Sequence, residues 1–240
     1  MLVCFLVSYS LSIEKGSGHS TWFSIKKVSC YMIPLSKWLV KIEFTEDLLG
    51  SVPYNKEVYS SFIASKLAEM SPDALSEELA SVDNREEKGW TGFHRDDKTK
   101  RPFLYDYVVK GFLKEAARCM NRMSGSETKN MKAFIKVIDG NIFVFPRKIM
   151  LQPPEGTDLI DLDVLERPLR CQTAQGERVT VTRSDLCPAG TTAEFTLEIL
   201  DAHVNEDLLR EWFDYGRYRA FGQWRNGSYG RIVYSLTKVD

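Results

Sequence analysis

The sequence predicts an α+β fold: a ferredoxin-like (RRM-like) antiparallel sheet with helices on one face and inserted loops. Several short segments alternate apolar and polar residues, which indicates strands, and two longer segments repeat apolar residues at helical spacing. Strands and helices do not follow the regular β–α–β order of a parallel sheet. The 240 residues are 43% apolar, which allows a sizeable core that needs neither disulfides nor metal ions.

The first half of the chain carries one clear strand signal and one clear helix signal. Residues Trp38–Phe44 alternate apolar and polar side chains, as a half-buried strand does. Asn55 is placed to cap a helix that runs to about Met70, and Pro72 begins a short second helix. The segment Asp83–Pro102 is polar, charged and contains glycine, so we expect a long inserted loop. Asp106 begins the clearest helix.

The second half of the chain is richer in strand signals. A short basic helix is expected from Glu127 to Lys136. Four strands are predicted after it: Asn141–Phe145, Leu169–Thr173, Arg178–Arg183 and Ala193–Leu200. Asn205 is placed to cap a helix that includes Phe213, and Arg231–Leu236 is the closing strand. This order of elements predicts an antiparallel sheet.

Residues 37–240 are predicted to form a single domain, and residues 1–36 an N-terminal extension. The extension is expected to be either disordered or the product of an overlong gene start, with Met32 as the natural initiator. The apolar run Leu2–Val7 is too short to span a bilayer. The five cysteines are odd in number and show no C-x-x-C spacing, which is typical of reduced thiols. We therefore expect a cytoplasmic protein without membrane contacts, cofactor or structural metal.

The net charge of −1 conceals an uneven distribution of charge along the chain. Acids outnumber bases from Glu43 to Glu87, and the balance reverses from Lys110 to Lys148. Within the basic stretch, Lys110, Lys114 and Arg118 repeat at four-residue spacing on one face of a helix. Such a stripe is either a solvated helix face or part of a surface that binds a polyanion.

The segment Tyr215–Arg231, here called the Gly-rich loop, combines glycine, arginine and aromatic residues. Its four arginines are Arg217, Arg219, Arg225 and Arg231, and its stacking faces are Tyr218, Phe221, Trp224 and Tyr229. Glycines let a backbone approach another surface closely, arginines bind phosphates, and aromatic rings stack on bases. The combination suits single-stranded nucleic acid. The alternative is a β-hairpin turn in which the aromatic residues fill the core.

A second candidate site lies in the expected loop between residues 83 and 102. His94, Asp96 and Asp97 could serve as a general acid–base group or as metal ligands. The alternative interpretation is a solvated loop in which Asp96 caps a turn. Phosphate-cradling and nucleophile-elbow motifs are absent from the sequence.

Two motifs resemble the CRISPR-associated RAMP superfamily. The pair Arg95-Asp96, followed by Pro102 and by the sequence KGFLK from Lys110, resembles a segment that leads into that superfamily's first long helix. The sequence FGQWRNGSYGRIV, which begins at Phe221, resembles its glycine-rich loop, G-G-x-x-x-x-G-x-G-R-V. The resemblance implies a ferredoxin-like core that binds RNA through this loop and a basic surface.

The chain also departs from the superfamily's pattern. Target-cutting backbone subunits carry an aspartate shortly before the R-D pair, where this chain has Trp90, and Phe221 replaces the first glycine of the G-G pair. The resemblance therefore implies binding and not cleavage. The segments Ile42–Gly50 and Val137–Arg147 also look like a family of uncharacterised bacteriophage and prophage proteins. This second resemblance covers most of the chain from about Trp38.

Together these observations predict a non-catalytic nucleic-acid-binding protein of a phage or mobile element, resembling a CRISPR backbone subunit. Its partner would be single-stranded nucleic acid, RNA rather than DNA, and copies could associate as a homo-oligomer or filament along the strand in the cytoplasm of a bacterial host. The expected contact residues are Lys110, Gly111, Lys114, Arg118, Arg217, Arg219, Gly222, Trp224, Arg225, Gly227, Tyr229, Gly230 and Arg231. The alternatives are a metal-dependent nuclease that uses His94, Asp96 and Asp97, and a protein-interaction antagonist of host defence that uses the acidic stretch.

Overall fold

A computed structural model describes residues 10–13, 23–26, 36–66, 72–82, 89–174 and 176–239. The α-helices of these residues are α1 (Lys56–Lys66), α2 (Pro72–Ala80), α3 (Asp106–Met120), α4 (Phe134–Asn141) and α5 (Glu206–Asp214). The strands are β1 (Ser10–Ile13), β2 (Phe23–Lys26), β3 (Ser36–Phe44), β4 (Leu48–Leu49), β5 (Val52–Pro53), β6 (Trp90–Gly92), β7 (His94–Arg95), β8 (Pro102–Tyr105), β9 (Ile142–Phe145), β10 (Lys148–Gln152), β11 (Asp163–Thr173), β12 (Gly176–Cys187), β13 (Thr192–Ile199) and β14 (Ile232–Val239).

The central sheet has the ferredoxin-like arrangement that the sequence predicts. Its strands lie in the order β14–β3–β13–β9, every neighbouring pair is antiparallel, and the chain runs β3–α3–β9–β13–α5–β14. The strand β10 pairs with the start of β13, beyond the end of β9, and extends the sheet through β8 to β7. The protein is therefore an α+β protein with a ferredoxin-like core and additional strands at one edge.

The helices of the core cover one face of this sheet. In β3 the side chains alternate, with Trp38, Val40, Ile42 and Phe44 buried and with Lys37 and Lys41 exposed between them. Helix α3 buries its apolar stripe of Val109, Phe112, Leu113, Ala116 and Ala117 in the same core cluster. Because alternate residues of a strand face opposite sides, Lys37 and Lys41 lie on the open face of the sheet, away from α3.

Much of the inserted sequence forms a second sheet. Strands β11 and β12 make a long antiparallel hairpin, β6 pairs with β12 in parallel, and β5 pairs with β6. The expectation of a long loop is therefore wrong for residues 89–102, which contain β6 and β7, whereas residues 83–88 lie outside the described residues. Strand β6 pairs with β12, about ninety positions away along the chain, and β7 pairs with β8. The local sequence of such short strands does not indicate these pairings.

The expected basic helix from Glu127 to Lys136 is also wrong. The chain forms a 3-10 turn over Glu127–Asn130, and α4 begins only at Phe134, after Ala133 in a left-handed conformation. The carboxylate of Glu211 holds the turn: it accepts hydrogen bonds from the Glu127 amide at 2.7 Å and from the Thr128 hydroxyl at 2.6 Å. Tertiary contacts therefore override local helix propensity here.

Two predicted helix caps are confirmed. The side chain of Asn55 accepts a hydrogen bond from the amide of Val58 at 3.1 Å, and Asn205 accepts one from Leu208 at 2.9 Å. The closing strand is confirmed as β14. The predicted end of the first helix, residues 67–70, lies outside the described residues, as does most of the N-terminal extension, in which β1 and β2 form an antiparallel pair.

Candidate nucleic-acid interface

The Gly-rich loop is fixed against β4 by backbone contacts. The amide of Gly230 donates to the carbonyl of Asp47 at 2.9 Å, and the amide of Gln223 donates to that of Leu49 at 3.2 Å. Gly222 and Gly230 adopt positive φ angles of 76° and 68°, and a Cβ at either position would overlap a backbone carbonyl oxygen. These glycines therefore allow close packing within the protein itself.

The carboxylate of Glu115 joins the Gly-rich loop to α3. One of its oxygens lies 2.8 Å from Nε of Arg219, and the other accepts a hydrogen bond from Nη1 of Arg225. Arg219 also donates to the side chain of Asn226 at 2.8 Å. The structure thus brings the loop and α3 together, as the nucleic-acid hypothesis requires, although Glu115 neutralises two of the predicted phosphate-binding arginines.

The aromatic residues of the loop divide between core and surface. Phe221 is buried against Phe44 and Phe112, so the prediction that it offers a stacking face is wrong. Trp224 is 48% exposed and stacks on Tyr229, with ring centroids 5.4 Å apart and an interplanar angle of 14°. Tyr218 is 72% exposed, so its ring and the Trp224–Tyr229 pair are the exposed aromatic surfaces of the loop.

The basic stripe of α3 lies on the surface and is partly neutralised. Lys114 forms an ion pair with Asp139 at 2.8 Å, and Lys110 donates to the backbone carbonyl of the same residue at 3.2 Å. Gly111 and Arg118 are exposed, and no ion pair to Arg118 occurs among the described residues. The stripe therefore keeps positive charge that is available to a ligand.

The remaining predicted contact residues belong to the Gly-rich loop and differ in exposure. Arg217 is exposed and forms an ion pair with Asp214 at 3.4 Å. Arg231 is half-buried, and its Nε has no hydrogen-bond acceptor among the described residues. Gly227 packs under the indole of Trp224, where an added Cβ would lie 3.1 Å from the ring.

Two groups at this interface were missed by the sequence reasoning. Glu115 lies among the basic residues of α3, and its ion pairs with Arg219 and Arg225 are visible only once the fold places the loop beside α3. Arg167 of β11 lies with its guanidinium carbon 4.7 Å from the indole centroid of Trp224 and donates to Gln223 at 2.8 Å. Because Arg167 precedes Trp224 by 57 residues in the sequence, only the tertiary fold reveals this contact.

The second candidate site does not form a metal centre. His94 is 4% exposed, and its two ring nitrogens pair with the hydroxyls of Ser81 at 2.9 Å and Tyr59 at 3.1 Å. Asp96 accepts hydrogen bonds from the amide and the hydroxyl of Thr99, so it caps a turn. No group of three or more potential metal ligands occurs in the described part of the chain. The structure therefore contradicts a metal cluster of His94, Asp96 and Asp97.

Trp90, at which the sequence motif predicts the loss of a catalytic aspartate, makes structural contacts in this protein. Trp90 lies in β6, and its indole nitrogen donates to the carboxylate of Asp185 at 2.8 Å. The other carboxylate oxygen of Asp185 accepts a hydrogen bond from the hydroxyl of Tyr54. Asp185 of β12 thus holds Trp90 of β6 and Tyr54, which follows β5.

His94 should make stability depend on pH. Burial lowers the pKa of its imidazole from 6.5 to about 3, so between these values the unfolded chain binds a proton that the folded chain excludes. Stability is therefore complete above the unfolded pKa and is lost as the pH falls. Relative to a His94→Gln variant, we expect the free energy of unfolding to fall by about 2 kcal/mol between about pH 6.5 and about pH 4.5.

Urea titrations of both proteins across this range measure the effect. Glu78 acts in the opposite direction, since burial raises the pKa of its carboxyl, and comparison with His94→Gln removes most of its contribution. Parallel stability curves for the two proteins would show that His94 titrates normally in the folded state.

The comparisons with known proteins gave matches among solved structures only. No protein-family model matches the chain, and no curated protein matches it with significance. Among the described residues, no helix is long and apolar enough to cross a membrane.

Two solved structures show a distant similarity at 11% sequence identity each. A chain of the "Type III-B Cmr-beta bound to cognate target RNA" structure aligns with 86% of this chain at a TM-score of 0.47. The match spans 61% of that chain, so this protein corresponds to about three fifths of it. A chain of a "Type IV-B CRISPR Complex" aligns with 84% of this chain and 90% of its own length at a TM-score of 0.43. The protein is thus distantly similar in structure to chains of CRISPR complexes.

Proposed function

We propose that this protein binds single-stranded nucleic acid, RNA in preference to DNA, on the surface formed by α3 and the Gly-rich loop. The observation that carries the proposal is the contact of Arg219 and Arg225 with Glu115. This contact places the exposed Trp224–Tyr229 stack and the basic stripe of α3 on neighbouring parts of one surface. Each part supplies one of the two contacts that a single strand needs, stacking for bases and positive charge for phosphates.

The charge of this surface supports the proposal, although the whole chain has a net charge of −1. Its cations are Lys110, Lys114, Arg118, Arg217, Arg219 and Arg225, and the acids paired with them are Glu115, Asp139 and Asp214. Six cations against three acids leave a local positive excess, which attracts a polyanion. The open face of the central sheet lacks this excess, because Lys37 and Lys41 share it with Glu43, Glu194 and Glu198.

The finer parts of the proposal rest on the sequence motifs. The preference for RNA, the absence of cleavage and a backbone-like role in a CRISPR-type assembly follow from the resemblance to the RAMP superfamily, with Trp90 in place of the catalytic acid. Association along the strand as a homo-oligomer or filament, an origin in a phage or mobile element, and a single domain over residues 37–240 stay predictions.

Fluorescence polarisation with a labelled single-stranded RNA tests the proposal. We expect saturable binding at micromolar protein or below, with competition by unlabelled RNA stronger than by DNA of the same sequence, and weak competition by duplex. Intact RNA after prolonged incubation with magnesium or manganese is expected as well. The absence of binding at micromolar protein would overturn the proposal, and binding with equal affinity for RNA and DNA would remove the preference.

A Glu115→Gln variant should bind nucleic acid more tightly than the wild type. The substitution removes the acid that neutralises Arg219 and Arg225, so we expect affinity to rise about threefold to tenfold at low salt. Polarisation titrations at two salt concentrations measure the change. The matched control is Glu43→Gln, which alters net charge equally on the open face of the sheet and should leave affinity unchanged. Weaker binding by Glu115→Gln would mean that the arginines act only when Glu115 holds them.

A further inference from the structure

Arg167 is a buried cation without an acidic partner among the described residues. Arg167 is only 9% exposed, and its Nη1 has no hydrogen-bond acceptor in the described part of the chain. Burial lowers the pKa of the guanidinium from its usual value, since desolvation disfavours the charged form. Because a buried charge costs free energy unless it is compensated, an apolar residue would serve better if packing were its only role.

Apart from a contact of its Nε with the hydroxyl of Thr182, the side-chain contacts of Arg167 lead to one short segment of the Gly-rich loop. Its Nη2 donates to the side-chain oxygen of Gln223 at 2.8 Å, and the hydroxyls of Ser184 and Thr91 lie 3.3 Å and 3.4 Å from the same oxygen. These two hydroxyls also lie 3.0 Å from each other, so the guanidinium of Arg167 and one of the hydroxyls hold the side chain of Gln223. The next residue is Trp224, whose ring lies over the Arg167 guanidinium.

The backbone of this segment is held in an uncommon conformation. Trp224 and Ser228 adopt positive φ angles of 51° and 75°, which are rare for residues with a side chain and most unusual for a bulky one. The amide of Gly227 donates to the carbonyl of Trp224 at 2.7 Å and closes the turn. Strain of this kind persists only where surrounding contacts maintain it, and it is concentrated at functional sites.

We infer that Arg167, Trp224 and Tyr229 form one stacking subsite for an unpaired base, in which Arg167 is a positioning residue that holds the indole from the protein side. The inference rests on the proposed function and adds to it a residue outside both sequence motifs. Arg167 itself does not contact phosphate in this arrangement, because its guanidinium is enclosed by Gln223, Thr182 and the indole. The ligand group is the aromatic face of a nucleobase.

An Arg167→Met variant, compared on two strands, tests the inference. One strand is an oligouridine and the other has the same length with stable abasic spacers, so that their difference in affinity measures stacking alone. We expect the wild type to prefer the strand with bases by about fivefold or more, and Arg167→Met to lose most of this preference. The slope of log affinity against log salt should stay unchanged, because no phosphate contact is removed.

Each other outcome has a distinct meaning. A retained preference for bases in Arg167→Met would overturn the inference and leave the proposed function intact, and a salt slope lowered by about 0.7 would reassign Arg167 to a phosphate contact. If the wild type binds neither strand, the proposed function itself fails. If Arg167→Met does not fold, Trp224→Asn provides the same comparison, because asparagine tolerates a positive φ. A preference for bases that remains in Trp224→Asn also overturns the inference.

Discussion

A Gly230→Ala substitution is expected to lower the free energy of unfolding by about 3 kcal/mol or more. Gly230 is buried at a φ of 68°, and a Cβ there would overlap the carbonyl oxygen of Phe221 and approach the side chain of Leu48. The backbone cannot shift to make room, because its amide and carbonyl bind Asp47 and Phe221. Urea denaturation followed by circular dichroism measures the loss.

The matched control for Gly230→Ala is Gly111→Ala. Gly111 is exposed within α3, and a Cβ there would meet no atom within 4 Å. The substitution should stabilise the protein by about 1 kcal/mol, since alanine favours a helix interior over glycine. Equal stabilities of the two variants would show that the Gly-rich loop is not packed against β4 as described.

A Lys114→Ala/Arg118→Ala double variant is expected to bind single-stranded RNA about tenfold more weakly at low salt. Two phosphate contacts are removed, so the slope of log affinity against log salt should fall by about 1.4. Both side chains lie on the surface of α3, outside the buried stripe, so stability should change little. Polarisation titrations between about 50 mM and about 200 mM salt give affinity and slope together.

The control for this double variant is Lys37→Ala/Lys41→Ala, which removes the same charge from the open face of the sheet. The two pairs are closely matched, because Lys37 also forms an ion pair, with Glu198 at 3.3 Å, as Lys114 does with Asp139. We expect the control to bind as the wild type does. If both variants lose affinity equally, binding depends on net charge and not on the surface of α3.

The elements of the fold that were predicted correctly are those whose signal is local. In Trp38–Phe44 the alternation of apolar and polar residues shows which side of the strand is buried, and the apolar stripe of α3 does the same for that helix. The order of such strands and helices along the chain then predicts the fold. The strands β6 and β7 could not be predicted, since they are only three and two residues long and β6 pairs with β12, about ninety positions away. Strand β10 begins only two residues after β9 and was not predicted, because the predicted strand ends at Phe145.

The candidate site was predicted in composition but not in arrangement. The clustering of glycine, arginine and aromatic residues in the Gly-rich loop predicts close approach of the backbone to a nucleic acid, whereas in the structure Gly222 and Gly230 allow close packing against β4 and Phe221. The sequence offered no means of knowing that Arg225 faces Glu115 or that Phe221 enters the core, because both depend on where the loop meets α3. The pattern of His94, Asp96 and Asp97 was misleading for the same reason: spacing along the chain does not reveal burial.

Photo-crosslinking of a 4-thiouridine-substituted single-stranded RNA, with the crosslinked peptides identified by mass spectrometry, tests the central claim most directly. We expect crosslinks in the peptide that carries Trp224 and Tyr229 and in the exposed face of α3, and their loss when salt is raised. Crosslinks confined to the open face of the sheet, where Phe145 is 48% exposed, would contradict the assignment of the interface to α3 and the Gly-rich loop.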